Sequence, residues 1–367
     1  MEFSINDLKF MKMAIKIAKK GILRTPPNPM VGAVITDGEK ILSFGYHKYF
    51  GGPHAEIVAL KKLPKTNKKL NLYVNLEPCV HYGKTGPCAD EIIKSPIKNV
   101  FISTKDPNPL VFGKGIEKLK KSGINVFVGL CEEEAVYLNR VFFYNQIFKL
   151  PYIILKWASS LDGYIADSSF QSKWITSQNS RKIGKKLREE VDAVLVGVNT
   201  VLRDNPNLDR IKENPPRKEI YKIILDPEGK TPLNYNLFKK GKVLWILKEG
   251  IKKKVAENIQ VLNFPIENGV FPLKEILKKL KTMEINSILV EGGGKTSSLF
   301  LKENLVQEVA LFFSPKIFGG GIKNISGLDL NLKSAIKIEN YKLRKIDEDF
   351  YLRGLICSLE LLKQLAK

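Results

Sequence analysis

One histidine, a glutamate two residues later and two cysteines each preceded by proline supply the reactive groups of this chain. They stand in Gly51-Gly52-Pro53-His54-Ala55-Glu56 and Glu77-Pro78-Cys79…Pro87-Cys88. His54, Cys79 and Cys88 can hold three corners of a Zn²⁺ tetrahedron, and a fourth corner left to water distinguishes a catalytic site from a structural one. The pKa of such a water falls from 15.7 to roughly 7, so a hydroxide nucleophile is available at neutral pH. Glu56 then stands where it can carry a proton from the water to a ring nitrogen and on to departing ammonia, the chemistry of hydrolytic deamination. A structural zinc site, or thiols buried without metal, is the plainer reading. Structural zinc usually draws on close Cys pairs, whereas Cys131 and Cys357, the other two of four cysteines, have no partner at metal spacing.

The ligand spacing carries further information. Eight residues, Val80 to Pro87, separate the two cysteines, where a compact deaminase motif has Cys-x-x-Cys. A loop pinned to the metal at both ends must cross the mouth of the site. His81, Lys84 and Thr85 on it are candidate contacts for a polar or phosphorylated substrate, with a solvated loop histidine as the alternative for His81.

The elements that must position these groups follow from periodicity. Leu8, Met11, Ala14, Ile15 and Ala18 recur at helical spacing over residues 5–20, with Asn6 or Asp7 as the start cap and Gly21 at the end. Pro26-Pro27-Asn28-Pro29 makes a rigid loop before a buried strand at 31–35, and Asp37-Gly38 turns the chain into a strand at 40–45. A helix begins at His54, strands are expected at 70–75, 98–103 and 124–128, and helices at 88–94 and 114–122. Cys79 and Cys88 belong at the start of the helix at 88, where the helix dipole favours a thiolate. Residues 132–148 read as a helix and a connecting arm, and Pro151 marks a boundary.

Beyond that boundary the chain reads as alternating strands and helices: strands at 152–158, 192–197, 221–225, 242–247 and 286–290, helices at 177–190, 272–283 and 295–303, then C-terminal strands. The β-rich run Ser287-Ile288-Leu289-Val290 is followed by Glu291 and then by Gly292-Gly293-Gly294. Bare amides there, at a helix start on the carboxyl edge of a sheet, suit an anion; a tight strand-to-helix turn is the alternative. Lys295, Thr296 and Ser297 add donors.

Pro53-His54-Ala55-Glu56 with Glu77-Pro78-Cys79…His81-Tyr82-Gly83-Lys84-Thr85-Gly86-Pro87-Cys88 resembles the deaminase half of the bifunctional riboflavin-biosynthesis deaminase/reductases. Ser172-Lys173-Trp174-Ile175-Thr176, the run from Val196 to Pro206 and Val290-Glu291-Gly292-Gly293-Gly294 resemble the reductase half. The resemblance implies a cytidine-deaminase-like three-layer α/β/α domain at 1–148 and a dihydrofolate-reductase-like α/β domain at 149–367. It implies Zn²⁺ and NADPH as cofactors, a phosphoribosylated pyrimidine as substrate, and a homo-oligomer, dimer or tetramer. By the same likeness Asn28 and His47 contact the pyrimidine. NADPH lies along Ala158, Trp174, Thr200, Gly293, Gly294, Lys295, Thr296, Ser297 and Ser298. Lys156, Asp162, Ser172, Leu208, Arg210 and Glu291 meet the reductase substrate, and Asp204 meets either. Two departures stand out: Asp226-Pro227 where the family often carries a hydroxyl residue on the cofactor, and a Leu208-Asp209-Arg210 spacing one residue short.

Composition bounds the remaining classes. With 367 residues the chain has room for two domains, and no apolar run reaches the eighteen or so residues of a membrane helix. The polar, acidic start does not read as a signal peptide, and few cysteines suggest a reducing cytoplasm. Sixty Lys and Arg against 38 Asp and Glu give a net charge of +22, which invites a nucleic-acid partner. The excess is scattered lysine without interleaved aromatics, so a solvated basic surface without nucleic acid is expected. A nucleic-acid base deaminase with an unrelated second domain, and a zinc-bearing binding protein without turnover, are the competing readings.

Overall fold

A computed structural model describes residues 3–81, 86–211 and 219–365. The chain groups into two compact units, Met1–Lys149 with Leu359–Lys367, and Leu150–Ser358.

The first unit runs α1 (Ile5–Ala18), β1 (Gly32–Thr36), β2 (Ile41–Tyr46), α2 (Ala55–Lys61), β3 (Leu70–Val74), α3 (Cys88–Ile93), β4 (Ile97–Ile102), α4 (Lys114–Lys121), β5 (Asn125–Val128), α5 (Glu132–Leu138) and α6 (Arg140–Phe148). Its sheet has the order β2-β1-β3-β4-β5. Strand β1 is antiparallel to both neighbours, and β3, β4 and β5 are parallel. Because side chains alternate across a strand, neighbouring residues enter different cores. Val34, Tyr73 and Phe101 face α1 and α5, while Ala33, Ile35, Leu72, Val74, Val100 and Ile102 face α2, α3 and α4. The result is the expected three-layer α/β/α arrangement. Phe10, Tyr73, Phe101 and Phe127 form a continuous aromatic stack on the first face.

Three local expectations change. Ser4, not Asn6 or Asp7, caps α1: its hydroxyl accepts from the Asp7 amide while the Asp7 carboxylate accepts from the Ser4 amide, a reciprocal capping box. The stretch expected as a connecting arm is helical, as α6, and Asn139 at the break accepts from the Met30 amide. The helix Leu359–Leu365 belongs with the first unit, packed on α5 and α6, so the C-terminal boundary differs from the expected 149–367.

The second unit runs β6 (Tyr152–Ser160), β7 (Tyr164–Ala166), α7 (Gln178–Lys186), β8 (Ala193–Gly197), α8 (Val198–Asp204), β9 (Tyr221–Leu225), α9 (Asn236–Lys239), β10 (Lys242–Lys248), β11 (Ile259–Phe264), α10 (Leu273–Thr282), β12 (Ser287–Val290), α11 (Gly294–Lys302), β13 (Glu308–Ser314), β14 (Ile322–Lys323), β15 (Glu339–Ile346) and β16 (Asp349–Leu355). Nine strands form one sheet in the order β11-β10-β9-β8-β12-β6-β13-β16-β15. The first seven are parallel, and β16 and β15 close the edge antiparallel. Strands β6, β8 and β12 are near-continuous apolar runs, as burial on both faces requires. Their carboxyl ends, with that of β9, gather at one edge of the sheet, where α/β folds bind ligands. The helix expected at 177–190 is α7 followed by a 3₁₀ turn, Leu187–Glu190.

Candidate active sites

In the first unit the metal donors converge from three elements. His54 is the residue before α2, Cys79 lies on the loop after β3, and Cys88 opens α3. Their ligand atoms all lie within 4.8 Å of one another. His54 Nδ1 is 3.2 Å from Cys88 Sγ and 3.5 Å from Cys79 Sγ, so Nδ1 is the nitrogen turned to the thiols. The Cys88 amide donates to Cys79 Sγ at 3.4 Å, which holds the two cysteines together across their eight-residue insert. Hydrogen bonds from Cys88 and His54 draw the Cys79 thiol down to about 4, in spite of burial. A thiolate, an imidazole and a second thiol at this spacing are the donor set of a tetrahedral zinc site with one position open, and the residues fit that ion.

Glu56, in the first turn of α2, is 3 % exposed. Burial pushes its carboxyl up to about 7, against the opposing pull of His54. His47 is buried beside His54, with ring centroids 5.5 Å apart, and Asn28 Nδ2 reaches it at 3.3 Å. Asn28, His47, His54, Glu56, Cys79 and Cys88 therefore form one cluster. His81 is exposed; Lys84 and Thr85 lie outside the described residues.

Glu77, quoted in the motif without a role, is the residue that sequence reasoning missed here. Its buried carboxylate accepts from the amides of Asp106 (3.2 Å), Gly113 (2.9 Å), Gly115 (2.9 Å) and Ile116 (3.2 Å). It ties the loop leading into α4 to the strand end that delivers Cys79. Only the Glu-Pro-Cys adjacency signals this.

In the second unit a cavity of about 730 Å³ opens at the carboxyl ends of the strands. Lys156, Ala158, Ser172, Trp174, Thr200, Asp204, Glu291, Gly293, Gly294, Lys295 and Thr296 of the expected residues line it. Its volume lies in the upper part of the range for small-molecule and cofactor sites, and its glycine turn, hydroxyls and Lys295 fit a phosphate-bearing nicotinamide cofactor. The Gly293 amide donates to Thr200 Oγ1 at 3.2 Å. A Cβ on Gly294 would lie 2.1 Å from the Lys323 carbonyl, so this glycine is also required by the close approach of β14.

Five expected residues are not brought to the cavity wall. Ser298 Oγ donates to the Gly294 carbonyl, and Ser297 is buried on the helix's inner side. The Asp162 carboxylate accepts from the Phe318 and Gly319 amides. Leu208 is buried, and the Arg210 guanidinium donates to the carbonyls of Arg188 and Val191. Asp226 and Pro227, the departure noted above, do line the cavity, but the Asp226 carboxylate is buried and accepts from Lys230, Thr231 and Trp245, closing its own turn. Arg188 was not anticipated: it makes a bidentate pair with Glu291, at 2.6 and 3.1 Å, with Lys156 Nζ 3.6 Å from the same carboxylate.

The comparisons with known proteins agree with this division. Residues 4–104 match the cytidine and deoxycytidylate deaminase zinc-binding region, and residues 151–352 match the RibD C-terminal domain. The riboflavin biosynthesis protein RibD of Aquifex aeolicus is 45% identical over 351 residues, covering 94% of this chain and 96% of its own. The Thermotoga maritima diaminohydroxyphosphoribosylaminopyrimidine deaminase/5-amino-6-(5-phosphoribosylamino)uracil reductase superposes with a TM-score of 0.83 at 39% identity, covering 95% of this chain and 98% of that one. Acinetobacter baumannii RibD gives 0.84 at 34% identity, with the same coverage. A nucleic-acid deaminase with an unrelated second domain is not favoured by these matches. No described helix is long and apolar enough to cross a membrane. The chain belongs to the RibD family, the bifunctional deaminase/reductases of riboflavin biosynthesis.

Proposed function

We propose that the first unit removes an exocyclic amine from 2,5-diamino-6-(5-phosphoribosylamino)pyrimidin-4-one, and that the second reduces the ribosyl group of the product to ribityl with NADPH. The observation that carries the first half is the convergence of His54, Cys79 and Cys88 beside a buried Glu56. Zinc held by those three groups supplies Lewis acidity and an activated water. Glu56 takes the two protons of the water one after the other on its carboxylate, delivering the first to the ring nitrogen and the second to the departing amine. Asn28 and His47 orient the pyrimidine, and the burial of this cluster excludes bulk water.

In the second unit the nicotinamide supplies the hydride, and the protein supplies position and electrostatics. Ala158, Trp174, Thr200 and the Gly293–Thr296 turn hold the cofactor; Lys156, Ser172, Asp204 and Glu291 face the substrate. We assign the deaminase to residues 1–148 and the reductase to the chain from 149, with the helix Leu359–Leu365 accompanying the first unit. Two metal-binding thiols need a reducing compartment, which supports a cytoplasmic address, and family likeness supports a homo-oligomer.

The test is a coupled assay on purified full-length protein, reading ammonia release and NADPH oxidation from the diaminopyrimidine phosphoribosylamine, with tRNA as a second substrate. Both signals on the small molecule and none on tRNA are expected. Ammonia from tRNA alone would overturn the assignment.

A further inference from the structure

Strand β9 carries a lysine where a sheet core ordinarily carries an aliphatic residue. Lys222 is 1 % exposed. Its Nζ lies 2.6 Å from Asp209 Oδ1 and donates to the Lys240 carbonyl at 2.9 Å. Burying an ammonium costs several kcal/mol, and replacing a buried ion pair with apolar residues of similar volume is often neutral or stabilising. Here only the ammonium is buried, for the Asp209 side chain is 41% exposed, so the pair returns little of that cost and stability alone gives no reason for it.

Its geometric effect is to pin Asp209. The Asp209 carbonyl accepts from Arg188 Nη1 at 3.1 Å, and Arg188 turns its Nε and Nη2 to the two oxygens of Glu291. Glu291 lines the cavity. Four residues, from β9, the segment before it, the 3₁₀ turn after α7 and the position just after β12, are thus joined in one line of polar contacts. The segment carrying Asp209 is held away from relaxed backbone: Asn205 has φ 41° and Leu208 has φ 56°. Non-glycine residues persist in that region only where their surroundings over-determine them.

We propose that Lys222 and Asp209 are positioning residues of the reductase, holding the Asp209 carbonyl against Arg188 and thereby aiming the Glu291 carboxylate into the cavity. The proposal rests on the reading that Glu291 faces the reductase substrate.

The test compares full-length Lys222→Met, Asp209→Ala and the double variant with the parent protein. Reductase turnover is expressed per cofactor site, with sites counted by titrating the fluorescence of bound NADPH. Asp209→Ala leaves a buried ammonium without its anion and unfolds more easily; the double variant removes both charges and regains thermal stability. Positioning requires that turnover per site in the double variant stays at least about fivefold below the parent, with NADPH affinity unchanged within about twofold. Turnover that returns together with stability overturns the proposal and makes the pair a structural one. Should the double variant not fold, Lys222→Met is judged by the same fivefold limit. Glu291→Gln is run alongside: if it leaves turnover unaltered, the reading of Glu291 fails, whereas a slow Glu291→Gln with a fast double variant rejects the line of contacts alone.

Discussion

Asn28 Nδ2 lies 3.3 Å from Nε2 of His47, whose other ring nitrogen, Nδ1, faces the Pro53 carbonyl at 3.1 Å. A carbonyl can only accept, so Nδ1 carries the proton and Nε2 accepts from the amide. Burial lowers the His47 pKa, which keeps the ring neutral. Asn28 therefore fixes the plane of an imidazole packed edge-on against a metal donor. Asn28→Ala removes one hydrogen bond of roughly 0.5–1.5 kcal/mol, and deaminase kcat/KM should fall about two- to tenfold. Reductase turnover in the same preparation should not change; loss of both would mean the variant acts on folding.

The proton-transfer role proposed for Glu56 can be told apart from metal donation. Glu56→Gln keeps shape and removes the base, a loss of about 10²–10⁴-fold in general acid–base catalysis. Ammonia release should fall by that amount, while zinc per chain, read by metal analysis, and NADPH-dependent reduction of the deaminated substrate stay at parent levels. Deaminase turnover within a few fold of the parent would contradict the role.

Metal removal should separate the two halves. The donors His54, Cys79 and Cys88 all lie in the first unit, and the cavity residues all lie in the second. Dialysis against a chelator should abolish ammonia release, leave NADPH oxidation on the deaminated substrate, and lower the thermal midpoint of the deaminase half, since binding to the native state alone stabilises it. Zinc added back should restore release. An ammonia signal that survives a metal-free preparation would count against the site.

Much of this is legible in the chain because the signals are local. His-x-Glu and two Pro-Cys steps name the metal cluster, and the apolar run at 31–35 marks a buried strand. What escapes reading depends on long-range partners. The Arg188–Glu291 pair joins residues 103 apart, and no pattern around Arg188 announces it. Glu77 looks like part of a ligand motif until four amides from 106–116 are seen to converge on it. Arg210 reads as a phosphate ligand by its type, yet its Nε and Nη2 donate to the backbone carbonyls of 188 and 191. Ser4 stands well before the apolar run of α1, so the periodicity points to a cap further along the chain.

Gly115 offers a test of the Glu77 hub that leaves the carboxylate in place. A Cβ there would lie 2.2 Å from the Pro78 carbonyl, far inside contact distance, so Gly115→Ala must move α4 away from the loop that carries Cys79. Overpacking of this kind costs about 1–3 kcal/mol. The thermal midpoint of deaminase inactivation should drop by several degrees, with reductase inactivation unmoved. An unchanged deaminase midpoint would show that α4 can shift without disturbing the bonds to Glu77.

The Glu291 site predicts a pH dependence of known sign. Burial alone would raise its carboxyl, but the charges of Arg188 and Lys156 outweigh it and hold the group at about 2, below its ordinary 4.5. A carboxyl depressed in the folded state contributes stability that is complete above the ordinary value and is lost as pH falls through the folded one. The window is therefore about pH 4.5 down to 2, over which a protonated Glu291 leaves the Arg188 guanidinium without its anion. All three tryptophans, Trp157, Trp174 and Trp245, lie in the second unit, so urea unfolding followed by tryptophan fluorescence reports that unit alone. The parent should lose stability steadily across the window, and Glu291→Gln, which has no carboxyl to protonate, should be less stable at neutral pH with a flatter slope. Parallel pH curves for the two proteins would place the acid-sensitive group elsewhere in the unit.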